Sequence, residues 1–285
     1  MDEKDKKFEE KFNKAYGRMF NLLREQRNFK ITDFKRVGLS QASLSRFENG
    51  QSLIRFDTLD AALNLMGIEI GEFEYFCNDF QSNYRTEICQ TIEEANYAQD
   101  METIKQIHDE AEKYDHRLIE LATKNLLQGL TEKEKNELRN QFFVITEWSF
   151  YELSILSFCV ENISVEVQHS LLRDFWNKNF HYMNVPKYRE KVFQIACRAA
   201  FGHIKKGEPE EAKRILEHVN KRIQQKDIFP IYMKSFVEGA WDYKFGDKKS
   251  GNEKIQMIIA SFKTLEDYKM SDYYEIRYKE LLKSA

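Results

Sequence analysis

Proline and glycine are both scarce in this chain, 3 and 11 among 285 residues. That is too few turn-formers to punctuate a β-sandwich or barrel. Cysteine is hardly richer. Cys77, Cys89, Cys159 and Cys197 stand 12, 70 and 38 residues apart, which makes neither a CxxC pair nor a zinc pattern and points to reduced, buried thiols in a cytoplasmic protein. The longest apolar stretches, such as LSILSFCV, fall far short of the ~20 residues that cross a bilayer. The N-terminus, MDEKDKKFEEKF, is charged where a secretory signal would be apolar, so no membrane partner is expected.

Catalytic signatures are missing as well. There is no HExxH, nucleophile elbow, phosphate loop or dinucleotide fingerprint. The six histidines, His108, His116, His169, His181, His203 and His218, are scattered along the chain. The paired carboxylates Glu210-Glu211 fall at an expected helix start, where they favour the helix dipole, and Glu93-Glu94 is likewise read as structural. Neither an enzyme nor a cofactor is expected.

What the chain has in quantity is Glu, Lys, Leu and Ile, with Ala and Gln beside them, a composition that favours an all-α protein. Its length suggests two domains. Charge divides it further. Net charge is −3, yet the segment from Lys11 to Arg55 carries ten Lys or Arg against Glu25, Asp33 and Glu48, a local +7. A basic module on an acidic chain is an electrostatic footprint for phosphate.

Within residues 1–76 the apolar spacing predicts short helices. Phe12, Tyr16, Met19, Phe20 and Leu23 mark a first helix ending near Asn28, and Ile31 and Phe34 mark a brief second one with Val37-Gly38 as its exit. Ser40 stands as an N-cap before QASLSRFEN, and Asn49-Gly50 is a stop. Leu59, Leu63 and Met66 mark a fourth helix. This order is a helix-turn-helix arrangement, in which the start of one helix enters the DNA major groove. Leu44 and Phe47 anchor that helix, leaving Gln41, Ala42, Ser43, Ser45 and Arg46 facing outward, where short polar side chains can reach base edges.

The run LSQASLSRFENG resembles the Cro/C1-type helix-turn-helix signature. The resemblance implies that Gln41, Ala42, Ser43 and Arg46 contact bases, with Ser40 as cap and phosphate ligand. Lys35 and Arg36, from the same basic segment, join the expected DNA contacts. It also implies a structural pair between Arg24 and Glu48. The chain departs from the pattern in one place: the second helix is one residue shorter, and Ile31 replaces a common glutamine, so the phosphate contact of that position is not carried over.

Residues 77–285 read as eleven helices, roughly 85–98, 101–113, 116–129, 132–145, 147–162, 165–180, 187–206, 209–225, 229–245, 251–266 and 271–284. Thr131 with Glu134 forms a capping box, and Pro186 and Pro209 sit near helix starts. Gly207 and Gly246 lie 39 residues apart, as do Ala212 and Gly251. That echo predicts hairpin repeats of TPR-like α-solenoid type, with a small residue where two helices approach.

The motif EWSFYEL (Glu147 to Leu153), following a helix-turn-helix that ends in SRFENG, resembles the Rgg/GadR/MutR transcription regulators. The resemblance spans most of the chain and implies a homodimer whose repeat domain, residues 77–285, binds a short signalling peptide and controls promoters. A symmetric operator of double-stranded DNA is the expected partner, since two half-sites supply specificity that one small domain lacks. An extended peptide needs side chains for its backbone and charge for its ends; Arg139, Asn140, Glu147, Tyr151, Arg189 and Arg198, on the central helices, are the candidates. A protein partner in place of the peptide, or a scaffold with no regulatory role, stays open on sequence alone.

Overall fold

The computed structural model describes residues 3–78, 84–177 and 182–284, and side chains within 14–78, 84–176 and 183–284. The side chain of Lys11 and the whole of His181 lie outside the described residues. Those described are helical, with no strand among them. They fall into two compact units, Met1–Asn83 and Tyr84–Ala285, and no helix among them is long and apolar enough to cross a membrane.

The first unit comprises α1 (Glu3–Gln26), a 3-10 helix (Ile31–Val37), α2 (Gln41–Glu48), α3 (Phe56–Leu65) and α4 (Ile70–Cys77). Its core is built on phenylalanine. Phe20 of α1 is fully buried, with Phe34, Phe47 and Phe73 at ring distances of 5.6, 5.5 and 6.4 Å. Each such ring stabilises the fold by ~1.5–3 kcal/mol through burial alone. These rings come from four of the five helical segments and tie α1, the 3-10 helix, α2 and α4 to one another.

Local chemistry fixes the turns. The second helix, a 3-10 helix, starts where Asp33 folds back to accept the Lys30 N–H at 2.7 Å, and Gly38, at φ +80°, ends it after seven residues. A tight i→i+3 helix suits so short a piece. Gly17 lets α1 cross α2 at backbone distance: a Cβ placed there would lie 2.0 Å from the Phe47 carbonyl oxygen.

The second unit comprises α5 (Tyr84–Ala98), α6 (Met101–Lys113), α7 (Arg117–Leu127), α8 (Glu132–Phe143), α9 (Phe150–Cys159), α10 (Val165–Asn177), α11 (Pro186–Lys206), α12 (Pro209–Asn220), α13 (Ile228–Phe245), α14 (Lys248–Thr264) and α15 (Tyr268–Lys283). These correspond one for one to the helices read from the sequence. Thr131 and Glu134 form the capping box, Pro186 and Pro209 occupy first turns, and Gly207 ends α11 at φ +82°.

Successive helices pair as hairpins, most extensively α6 with α7, α11 with α12 and α13 with α14. Helices α7, α9, α11 and α13 then pack side by side as an inner layer, and α15 returns to touch α5. The 39-residue echo has a steric cause at its second occurrence. A Cβ on Gly251 would sit 2.3 Å from the Tyr243 nitrogen and 2.6 Å from the Gly239 oxygen, so α14 can lie against α13 only with glycine there. At the corresponding place in the preceding hairpin, Ala212 is fully buried.

The four cysteines are free, Cys77 half-buried and the others buried. Burial pushes all four thiols up to about 12, which leaves them protonated and unreactive near neutrality.

Candidate nucleic-acid interface and ligand cavity

Helix α2 is fixed from below and left bare above. Leu44 and Phe47 point into the core. Glu48 is held from the same side: Arg24 donates Nε to Glu48 Oε1 at 2.6 Å and Nη2 to Oε2 at 3.1 Å. The same guanidinium reaches the Phe29 carbonyl at 2.9 Å and Asn21 Oδ1 at 2.5 Å. It thereby ties α1 to the C-terminal end of α2 and to the chain leading out of α1. Hydrogen bonds to Glu48 raise the Arg24 pKa above its ordinary value, against the effect of burial.

The Ser40 Oγ caps α2, accepting the Ser43 N–H at 3.1 Å and donating to Ser43 Oγ at 2.9 Å. An N-cap of this kind contributes ~1 kcal/mol. Gln41, Ala42 and Arg46 are exposed, whereas Ser43 and Ser45 are half-buried. Ser40, Lys35 and Arg36 are exposed as well. Arg24 is the exception among the basic residues: it is buried and committed to Glu48. The first unit therefore offers a capped helix end with an amide, a methyl group and a guanidinium on its free face, among exposed cations.

In the second unit, a polar cavity of about 240 Å³ opens among α5, α7, α9, α11 and α15. Its wall includes Asn96, Asn125, Glu161, Arg198, Lys205 and Arg277. Glu161 accepts from Lys205 at 2.9 Å and from Arg277, and Glu280 accepts from Lys205 and Arg277, each at 3.1 Å. Burial would raise the Glu161 carboxyl, but Arg277 and then Lys205 outweigh it and hold it at about 2. Asn162 donates to Asn125 Oδ1 at 2.9 Å, and Asn125 donates to the Phe158 carbonyl at 2.8 Å. The amides are thus positioned before any ligand arrives.

Of the six residues singled out for a peptide, Arg198 alone lines this cavity. Arg189 is buried in an ion pair with Asp227 at 2.8 Å, and it also donates to the Met183 carbonyl. Arg139 and Asn140 are exposed on α8, Glu147 is exposed between α8 and α9, and half-buried Tyr151 lies beneath the Arg85 guanidinium. They do not gather at one place with Arg198. The residues that do, among them Asn96, Asn125, Glu161 and Arg277, come from helices up to 181 positions apart in sequence, and no local pattern marks them.

The remaining polar networks brace helices. Lys191 of α11 donates to both oxygens of Glu93 on α5, at 2.9 and 2.8 Å, and Gln194 reaches Tyr97 Oη at 2.5 Å. His108 Nδ1 lies 3.0 Å from Thr123 Oγ1, and His203 Nδ1 lies 2.5 Å from Glu208. Among the described residues no group of three or more His, Cys, Asp or Glu could hold a metal ion.

The family model for the C-terminal domain of the HTH-type transcriptional regulator Rgg matches residues 90–276, and a helix-turn-helix model matches residues 22–73. Several solved structures share the fold. A candidate transcriptional regulator from Listeria monocytogenes EGD-e superimposes with a TM-score of 0.76 at 15% identity, covering 94% of this chain and 97% of that one. The SHP pheromone receptor Rgg2 of Streptococcus dysgalactiae gives 0.71 at 19% identity, covering 93% and 99%. A bacterial peptide pheromone–receptor complex gives 0.65 at 12% identity, covering 94% and 98%. At such identities the likeness is one of fold.

Proposed function

The chain belongs to the Rgg family of helix-turn-helix transcriptional regulators, and from that premise we propose that α2 reads duplex DNA while the second unit binds a short signalling peptide in the cavity that contains Arg198. The observation that carries the DNA half is the free face of α2. Gln41 matches the bidentate edge of adenine, Arg46 that of guanine, and the Ala42 methyl that of thymine. Arg24 and Glu48 act beneath the surface and set the angle at which this face is presented. Lys35 and Arg36 supply the sequence-independent attraction to phosphate. Two copies would place two such helices on a two-fold symmetric operator.

The peptide half rests on a polar cavity within a helical-repeat unit and on likeness of fold to the pheromone receptors. A peptide can change the DNA-binding state only by preferring one arrangement of the protein over another, and a cavity walled by five separate helices gives it the means. Residues at that wall move relative to one another if those helices repack. The test is selection of bound fragments from the organism's own genome by the purified protein, with and without peptides from culture supernatant. A discrete set of enriched fragments whose recovery changes with the peptides is expected. Recovery of fragments without sequence preference would remove the DNA reading, and an unchanged set would remove the peptide reading.

A further inference from the structure

Arg198 is 9% exposed, and one terminal nitrogen of its guanidinium donates to the Ser157 carbonyl at 2.7 Å. The other terminal nitrogen is buried and has no hydrogen-bond partner. Among the described residues no carboxylate lies within ion-pairing distance of it. This is unusual company for an arginine that stays charged at every physiological pH. The other buried cations of α11 each have an anion: Arg189 has Asp227, and Lys191 has Glu93. Glu93 and Glu161 act on the charge from farther off and the Phe158 ring lies 5.8 Å away, yet none of them bonds the free nitrogen, and a buried donor left without a partner is costly.

Arg198 sits where the polar cavity meets a smaller chamber of about 30 Å³ behind it, and Tyr273 and Arg277 line both spaces. The carboxylates of the cavity wall are already occupied, Glu161 and Glu280 by Lys205 and Arg277. Side chains of this site therefore leave one strong donor unanswered, and it is cationic. We propose that the peptide of the preceding section enters with a carboxylate, which Arg198 takes as its counter-ion, and that this contact selects the ligand. The proposal rests on the peptide reading. The carboxylate has two sources, the C-terminus of the peptide or an Asp or Glu side chain.

Three pools of random synthetic peptides of one length separate these sources. The first has free C-termini and no acidic residues. The second is the same pool amidated, and the third is amidated but admits Asp and Glu. Each is incubated with the full-length protein, and the retained fraction is read by ultrafiltration and mass spectrometry. At least tenfold greater retention of the free-acid pool than of its amidated counterpart assigns the C-terminus. The same advantage for the acidic amidated pool assigns a side chain.

In either case Arg198→Gln, whose amide can still donate to the Ser157 carbonyl, abolishes the preference. Arg198→Lys, which keeps the charge, restores part of it. A circular dichroism melt unchanged in both variants shows that the fold is intact; the comparison of pools on the unaltered protein does not depend on either variant folding. Equal retention of all three pools leaves peptide binding standing and overturns the carboxylate assignment. No retention of any pool overturns both.

Discussion

Gly17→Ala should damage the first unit far more than so small a change suggests. The added methyl carbon would lie 2.0 Å from the Phe47 carbonyl oxygen and 3.0 Å from that of Glu48. Ordinary contact begins near 3.4 Å, so the α1–α2 crossing would open by roughly an ångström. Its neighbours there are backbone atoms of a helix, which cannot rotate aside. Overpacking costs ~1–3 kcal/mol where side chains can adjust; with rigid backbone on both sides, ~3 kcal/mol is the expected loss. The same opening pulls Glu48 from Arg24 and tilts the face that carries Gln41 and Arg46. Gly71→Ala is the control, since no atom lies within 4 Å of a Cβ there, and it should change stability by less than ~1 kcal/mol. Thermal and urea unfolding of the two variants, followed by circular dichroism, makes the comparison. Equal stability of Gly17→Ala and the unaltered protein would refute the close crossing.

Glu48→Ala should destabilise the first unit by ~3–5 kcal/mol, because it takes the buried counter-ion from the Arg24 guanidinium; Arg24→Met added to Glu48→Ala should recover part of the loss in a double-mutant cycle. In the second unit, Gly251→Ala should lower the melting temperature through its clash with Tyr243 and Gly239, while Gly129→Ala, which meets nothing, incurs only the backbone strain of an alanine at φ +84°. Glu161 makes stability depend on acid. Its pKa falls from 4.5 to about 2 on folding, so its contribution is complete above pH ~4.5 and is lost as pH drops toward 2. That contribution is about 3 kcal/mol. Glu161→Gln should therefore lower stability at neutral pH and flatten the acid limb in this window, read by urea melts across pH; an acid limb identical to that of the parent would contradict the ion-pair reading.

Local order was legible in the sequence and tertiary convergence was not. The cap at Ser40, the box of Thr131 with Glu134, and the stops at Gly38 and Gly207 depend on residues within four positions of each other, so their chemistry can be read along the chain. So can the inward stripe of Leu44 and Phe47. The second helix is a 3-10 helix, a choice that apolar spacing does not encode. Gly17 was invisible for a different reason: its role exists only where two helices cross. The cavity is the extreme case. Arg189 and Arg198 lie nine positions apart on one helix, yet Asp227 claims the first and the cavity receives the second, and nothing near either arginine in sequence distinguishes them. Asp227, at the start of α13, and the Ser157 carbonyl of α9 are brought to them by hairpin packing.

The central claim is that the bare face of α2 holds DNA, and a fluorescence-anisotropy titration tests it most directly. The probe is the duplex upstream of the protein's own gene, titrated at several salt concentrations with the unaltered protein and with Gln41→Ala/Arg46→Ala. Affinity for that duplex should fall steeply with salt, and the double variant should bind at least about thirtyfold more weakly, since each of the two base contacts is worth ~1–3 kcal/mol. Equal affinity of the two proteins at every salt concentration would contradict it.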